Sequence, residues 1–251
     1  MIGALLLCVG ALAPAQDSEP RELGREEARV ALDRALSWIV EAQNEDGSWG
    51  LPLPCHGQDD GFAYFAYHGY REGAHGVVLR ALLLAPETPE RREALERGLR
   101  WALEKEITPR ADDWDVDGTW GVVYSFDAIT HAAMDPRFAE DSWQEAFRDR
   151  AGELLVELKR RQTLEGGWAY YDDPPFTEKP TWATSFTTAL LLPALRHAKE
   201  DLSWPVPEGM LERAVTAVRR CALPNGAYTY NVSAWPEGYG LEDIDQPAGS
   251  L

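Results

Sequence analysis

Apolar residues recur along the chain at the spacing i, i+3, i+4, i+7, which marks one face of an amphipathic helix. Three such stretches are followed by a glycine, and an aromatic residue comes two positions after that glycine. They superimpose without gaps, from Leu32 to Trp49, from Ala151 to Trp168 and from Leu211 to Tyr228. A glycine at this place is typical of a left-handed helix end or a tight turn. The pattern predicts an internal repeat of helices, each ending in a glycine turn.

A fourth copy of the repeat is interrupted. Its apolar helix positions run from Leu95 to Ala102, and a matching turn follows only after an insertion. That turn, residues 117–121, reads Asp-Gly-Thr-Trp-Gly, which is similar to Asp-Gly-Ser-Trp-Gly at 46–50. The alignment therefore predicts that Gly118 and Trp120 are turn residues.

Different helices are predicted between the amphipathic ones. Residues 74–85 and 181–198 are apolar nearly all round, as buried helices are, and 124–134 is a weaker third example. An alternation of partly exposed and buried helices is typical of stacked repeats, in which neighbouring pairs cover each other. The sequence therefore predicts an all-α fold with four outer and three inner helices.

Two of the turns carry a recognisable motif. Gln43-x3-Gly47-x-Trp49 and Gln162-x3-Gly166-x-Trp168 resemble the QW motif of squalene and hopene cyclases, and the related turn of protein prenyltransferases is similar. The resemblance covers roughly residues 26–230. It implies an α/α toroid, here a partial or open arc of about three and a half helix pairs. It also implies a structural role for Gln43, Gly47, Trp49, Gly118, Trp120, Gln162, Gly166, Trp168, Gly226 and Tyr228.

The catalytic motifs of that superfamily are not recognisable in the sequence. The nearest string to the Asp-x-Asp-Asp motif of hopene-type cyclases is residues 115–118, where Gly118 takes the place of the last acid. A prenyltransferase-like zinc site needs converging ligands, whereas Cys55 and His56 are adjacent and Cys221 lies on an outer helix. The resemblance therefore predicts an exported, non-catalytic binding or scaffold domain with an aromatic-lined concavity.

Two enzymatic alternatives stay open. One is a terpene cyclase whose catalytic acid lies in a C-terminal part beyond this sequence, because the chain ends where another inner helix is expected. The second is an α/α-barrel polysaccharide lyase or hydrolase, which needs two carboxyl groups in one cleft, such as Asp127 and Asp172.

If the arc is open, we also expect a protein partner at its C-terminal edge.

The inner helices carry polar and aromatic residues that are expected to line the cavity. We predict a pocket that contains His75, Arg80, Trp182 and Phe186, with Asp127 or His131 as an acid–base group beside the two aromatic rings. The alternative is that Asp127 caps its helix and His131 is an ordinary hydrogen-bonded histidine. The predicted ligand is a hydrophobic molecule or a glycan.

Charge and the acidic insertion add two expectations. The formal net charge of −18 makes nucleic acids and anionic membrane surfaces poor partners. Asp113, Asp115 and Asp117 match the first half of a calcium loop, although Tyr124 stands where the bidentate acid is needed. Calcium is therefore a possible ligand, and no other cofactor is predicted.

The N-terminus predicts export. Residues 1–15 contain an uncharged apolar run that ends in Ala-Pro-Ala, which is typical of a signal peptide cleaved near Ala15. The apolar run is too short for a membrane span, so an integral membrane protein is not expected. Residues 16–25 are then a linker, and 26–251 form the repeat domain. In an oxidising compartment Cys55 and Cys221 are candidates for a disulfide, but their distance is not fixed by the sequence.

Overall fold

The computed structural model describes residues 24–50, 61–107, 118–170 and 182–233, apart from the side chains of 61–68. Backbone packing divides the chain into two units, residues 1–35 and 36–251. In the first unit the described residues form the beginning of helix α1, which spans Arg25–Glu41. The second unit contains the remaining described elements.

The described residues are mostly helical, which confirms the predicted all-α fold class. After α1 the α-helices are α2 (Gly61–Leu84), α3 (Pro89–Glu104), α4 (Gly118–Met134), α5 (Asp141–Arg161), α6 (Ser185–Glu200) and α7 (Met210–Arg220). A short 3-10 helix, Pro136–Phe138, precedes α5. Two strands, β1 (Trp182–Thr184) and β2 (Asn231–Ser233), pair antiparallel with Trp182 opposite Ser233.

The helices of the second unit form two layers, compatible with the expected toroid. Inner helix α4 packs against α2 on one side and α6 on the other. Outer helices α3, α5 and α7 lie on α2, α4 and α6 respectively. Leu79, Phe126 and Leu154 are fully buried between the layers, and their burial is the main stabilising contribution of this arrangement.

The glycine turn after α5 joins the end of that helix to the next outer helix. The Gln162 Nε2 atom donates hydrogen bonds to the carbonyl oxygens of Gly166 at 2.6 Å and of Met210, at the start of α7, at 3.0 Å. Its Oε1 atom accepts a hydrogen bond from Arg213. Trp168 is fully buried over the helix end, where its indole N–H donates to the Leu158 carbonyl at 2.9 Å.

The turn after α1 makes the same contacts with the start of α3. Arg97 donates a hydrogen bond to the Oε1 atom of Gln43, as Arg213 does to Gln162. The corresponding distances are 2.8 Å from Gln43 Nε2 to the Gly47 carbonyl, 2.9 Å from Gln43 Nε2 to the Ala94 carbonyl and 2.7 Å from Trp49 Nε1 to the Ile39 carbonyl.

The turn after α7 differs from the other two. Ala222 stands in the place of the glutamine, so the side-chain hydrogen bonds of that residue are lost. Tyr228 stands in the place of the tryptophan, and its side chain is exposed, unlike those of Trp49 and Trp168. An added Cβ at Gly226 would meet no described atom within 4 Å.

The outer helix that precedes α5 is α3, and it does not end in a glutamine turn. The arginine of α5 therefore binds a backbone oxygen at the end of α3 directly. Arg150 of α5 donates to the carbonyl oxygen of Lys105, the residue that follows α3, at 2.5 Å. An arginine from each of α3, α5 and α7 therefore binds at the C-terminal end of the preceding outer helix. Because arginine presents several donors in a fixed plane, it suits a helix end with unpaired oxygens.

The predicted turn at Gly118 and Trp120 is wrong. Both residues lie in the first turn of the inner helix α4, and Gly118 lacks the positive φ of Gly47 and Gly166. The similarity to residues 46–50 is therefore local, because packing between α2 and α6 favours a helix from Gly118 onwards. Residues 115–117 lie outside the described residues.

Candidate functional site

One stripe of helix α4 is less buried than the rest of the helix. It consists of Trp120, Tyr124, Asp127 and His131, spaced at i, i+4, i+7 and i+11. This spacing places the four side chains on one face of the helix. Asp127 is buried and the other three are partly exposed, whereas most of the remaining positions of α4 are buried against α2, α5 and α6.

The same stripe recurs on the neighbouring inner helices. On α6 it comprises Phe186, Leu190, Pro193 and His197, and on α2 it comprises Gly73, Val77, Arg80 and Leu84. The ring of Phe186 lies 6.2 Å from that of Trp120, and the ring of His197 lies 5.7 Å from that of His131. Since both pairs are separated by the same number of residues, α4 and α6 run in the same direction. We call the surface formed by these three stripes the inner face.

Glycines on α2 position the aromatic residues of α4. An added Cβ at Gly76 would lie 2.6 Å from the Tyr124 carbonyl oxygen, and one at Gly73 would lie 3.4 Å from the Trp120 Cβ. The two helix backbones therefore approach closely, and larger side chains at these positions would separate them. This contact holds Trp120 and Tyr124 at the start of the inner face.

The N-terminal end of the inner face is aromatic. Trp120 stacks on Tyr124 at 5.8 Å and on Tyr170 at 5.6 Å between ring centroids. Phe186 lies 5.3 Å from Tyr230, whose hydroxyl group hydrogen-bonds to that of Tyr170. Stacked and tilted rings at these separations attract each other and present a broad apolar surface. We call these five residues the aromatic end.

The C-terminal end of the inner face is polar. The Arg80 Nε atom lies 2.8 Å from Asp127 Oδ2, and the His131 Nδ1 atom lies 3.3 Å from Asp127 Oδ1. On α6, the His197 Nδ1 atom lies 2.6 Å from Asp201 Oδ2. Arg80, Asp127, His131, His197 and Asp201 therefore form a continuous row across the three inner helices, which we call the polar end.

The predicted acid–base group and its aromatic partners are not in one pocket. Asp127 and His131 share the inner face with Phe186, but His131 pairs with His197, eleven residues further along α6 than Phe186. At a rise of 1.5 Å per residue this separates the two ends by about 16 Å. Trp182 is buried in β1, with its ring 5.7 Å from that of Tyr170. Asp127 lies in the middle of α4, so it does not cap the helix.

His75 does not belong to the inner face either. Its side chain is 1% exposed and lies between the rings of Trp49 and Trp101. The Nδ1 atom accepts a hydrogen bond from the Trp49 backbone N–H, so the proton is placed on Nε2, which lies 3.0 Å from the Gly98 carbonyl. Burial lowers the pKa of His75 to about 4. His75 therefore packs behind the first glycine turn. Thr188 takes the equivalent place behind the second glycine turn.

Several predicted residues fall outside the described part of the chain. They are Asp113, Asp115 and Asp117 of the calcium hypothesis, Asp172 of the lyase hypothesis, and the signal peptide, so these stay predictions. Cys55 is also outside it, while Cys221 is a buried free thiol whose pKa is raised by burial. In the ranges that are described, none of the helices has the length and apolar character needed to cross a bilayer.

Sequence comparison links part of the chain to terpene cyclase enzymes. Over 93 residues it is 32% identical to enfumafungin synthase of Hormonema carpetanum, and over 90 residues 34% identical to a terpene cyclase–glycosyl transferase fusion protein of Humicola fuscoatra. These matches cover 37% and 36% of this chain, but only 7% and 6% of the two relatives. The chain is thus distantly similar to terpene cyclases. No family model and no solved structure matches it.

Sequence reasoning missed most of the inner face. Trp120 was assigned to a turn, and Tyr230 and His197 were not singled out. The signal was present in the helical spacing from Trp120 to His131, but it is visible only when Gly118 is placed in a helix. Tyr170 and Tyr230 lie outside the helices, and only the fold brings them to Phe186.

Proposed function

We propose that the inner face binds an extended apolar molecule of the isoprenoid class, and that the protein is an exported binding relative of terpene cyclases. The observation that carries the proposal is the repeated stripe on α2, α4 and α6. Along it the inner helices expose the large apolar side chains of Val77, Leu84 and Phe186. Apolar groups exposed in one contiguous surface are typical of ligand or partner sites.

The aromatic end supports an apolar ligand in particular. Its five rings combine a large contact area with few rotatable bonds, so binding costs little side-chain entropy. The alkene groups of an isoprenoid chain would pack on these rings, and its methyl branches would pack on Val77 and Leu190. An unbranched, highly polar glycan would leave Val77, Leu84 and Phe186 without apolar partners.

The polar end supports binding more than acid catalysis. A cyclase that begins by protonating an alkene needs a carboxylic acid that still carries its proton. Asp127 is instead held by Arg80, whose Nε atom donates a hydrogen bond to Asp127 Oδ2 at 2.8 Å. In this contact the carboxyl group of Asp127 is a hydrogen-bond acceptor.

The test is calorimetric titration of the full chain with farnesol. Replacing a ring of the aromatic end, in Trp120→Ala or Phe186→Ala, is expected to weaken binding about tenfold or more, because each ring loses its buried area. Trp38→Ala is the matched control, since Trp38 is an exposed tryptophan on α1 away from the inner face. Equal affinities for all four proteins would refute the proposal.

A terpene cyclase is the second candidate, and the similarity to enfumafungin synthase favours it. Incubation of the full chain with squalene, followed by mass spectrometry of the extract, tests for cyclised products. A cyclised product that disappears in the Phe186→Ala variant would establish an enzyme. Binding of the substrate without any product would favour the binding function.

A further inference from the structure

The two histidines of the polar end are held in the same way. The His131 Nδ1 atom lies 2.8 Å from the Asp127 carbonyl oxygen, and the His197 Nδ1 atom lies 2.6 Å from a carboxylate oxygen of Asp201. Both neighbours accept hydrogen bonds, so each Nδ1 atom carries a proton and donates it. This inference holds for the neutral as well as the charged ring.

The opposite ring nitrogens are therefore unused acceptors. In a neutral imidazole with its proton on Nδ1, the Nε2 atom has a lone pair and no hydrogen. Among the described residues, neither the His131 nor the His197 Nε2 atom has a hydrogen-bond partner. The two rings lie 5.7 Å apart between centroids and are about one-fifth exposed. A group that reaches them must donate a hydrogen bond.

We propose that the polar end binds the hydroxyl group of a long-chain isoprenoid alcohol, with the O–H donating to the Nε2 atom of His131 or His197. This inference rests on the proposed function of the inner face and specifies the orientation of its ligand. The hydroxyl group lies at the polar end, and the hydrocarbon tail runs along α4 and α6 to the aromatic end.

The charges of the polar end favour a neutral head group over a phosphate. Its fixed charges are one cation, Arg80, and two anions, Asp127 and Asp201, and Arg80 is already paired with Asp127. A phosphate or diphosphate would approach a row in which the anions outnumber the cations and whose arginine already pairs with Asp127. At the two Nε2 atoms an ether or ketone oxygen would face an acceptor, because it has no proton to donate.

The length of the inner face fits a ligand with one polar terminus. The two ends are about 16 Å apart along the helices. A farnesyl-sized chain in an extended form spans a distance of this order, so its head and its last isoprene unit reach the two ends together. A much shorter alcohol would satisfy one end only.

Three ligands of equal chain length test the inference by calorimetric titration at pH 8, above the ordinary range of imidazole protonation. They are farnesol, its methyl ether and the hydrocarbon farnesene, which share one fifteen-carbon chain and differ in length only by the head group. Farnesol is expected to bind roughly threefold to tenfold more tightly than the methyl ether, the effect of one net hydrogen bond. If all three bind alike, the head-group inference is wrong and the proposed function stands. If none binds, both are wrong.

Variants locate the hydrogen bond. In the double variant His131→Phe and His197→Phe the ring shape is kept and both acceptors are lost, so the preference for farnesol over its methyl ether should disappear. Phe186→Ala should weaken the binding of all three ligands by a similar factor and keep the preference for farnesol over its methyl ether. A preference that survives in a folded double variant would overturn the assignment, and the comparison of ligands on the unmodified protein remains valid if that variant does not fold.

Discussion

Arg213 of α7 donates a hydrogen bond to the side-chain oxygen of Gln162, the residue that follows the last turn of α5. The amide of the same glutamine donates to Gly166 and Met210, so one buried side chain connects three segments. Arg97 and Gln43 form the equivalent pair in the first copy. This pair of contacts makes the glutamine turn a joint between successive outer helices.

Gln162→Ala is expected to lower the free energy of unfolding by about 2–3 kcal/mol, because buried carbonyl groups and Arg213 lose their partner. Gln43→Ala is the matched comparison and is expected to cost about half as much, since Gln43 is only partly buried while Gln162 is 1% exposed. Urea denaturation measures both values. Equal losses would show that burial of the glutamine is not the deciding factor.

Gly166→Ala and Gly226→Ala separate backbone strain from steric conflict. Both glycines have a positive φ, +96° and +85°, so either alanine costs about 1–2 kcal/mol of left-handed strain. The Cβ at residue 166 would also lie 2.8 Å from the Arg213 carbonyl oxygen, whereas the one at 226 meets no described atom. Gly166→Ala should therefore be more destabilising by about 1–3 kcal/mol. Thermal denaturation of the two variants measures this difference. An equal shift in Tm would contradict the reasoning.

His75 is expected to make the stability depend on pH. Burial lowers its pKa to about 4, below the ordinary value of 6.5, so between these values the unfolded chain binds the extra proton. The free energy of unfolding should then fall as the pH drops from about 6.5 towards 4, by at most about 1.4 kcal/mol per pH unit. Protonation would place a second N–H against that of Trp49.

His75→Thr tests this origin of the pH dependence. Threonine is the residue that accepts the equivalent hydrogen bond in the other copy, where Thr188 Oγ1 lies 3.0 Å from the Trp168 nitrogen. The variant should be less stable at pH 7, because threonine is smaller, but its stability should change less between pH 6.5 and 4.5. An unchanged slope in urea denaturation would assign the acid sensitivity to other groups.

The Arg80–Asp127 pair is expected to respond asymmetrically to substitution. The side chain of Asp127 is 8% exposed, whereas that of Arg80 is 24% exposed and reaches water more easily. Arg80→Met leaves a buried carboxylate without its cation and should cost about 2–4 kcal/mol, while Asp127→Leu should cost about 1 kcal/mol. Chemical denaturation of both variants and of the double variant measures the coupling. A larger loss for Asp127→Leu would refute the burial argument.

The sequence predicted those parts of the fold that depend on local patterns. The spacing from Gln162 to Trp168 is short, and its hydrogen bonds close within one turn, so the motif alone indicated the structure. Gly118 and Trp120 have nearly the same local sequence as Gly47 and Trp49, but their conformation depends on the packing of α4 against α2 and α6. Such long-range packing is not encoded in a short string.

The candidate site was predicted less well than the fold for a related reason. His75 and Arg80 both lie on α2, yet they point to opposite sides of the layer of inner helices. If the buried face of the helix is placed one residue out, a buried residue is mistaken for one on the inner face. Arg80 and Asp127 come together because α2 and α4 are parallel neighbours. The stacking of Tyr170 on Trp120 depends on a turn that returns to the start of α4.

The arginine contacts between successive outer helices have a consequence for how the protein unfolds. Each of Arg97, Arg150 and Arg213 binds at the end of the outer helix before its own, so these contacts couple each helix to its neighbour along the chain. Chains coupled in this way behave like a one-dimensional Ising system, in which stability is a sum of repeat and nearest-neighbour interface terms. Arg150→Ala is therefore expected to speed amide hydrogen exchange more in α3 and α5, which this residue joins, than in α7.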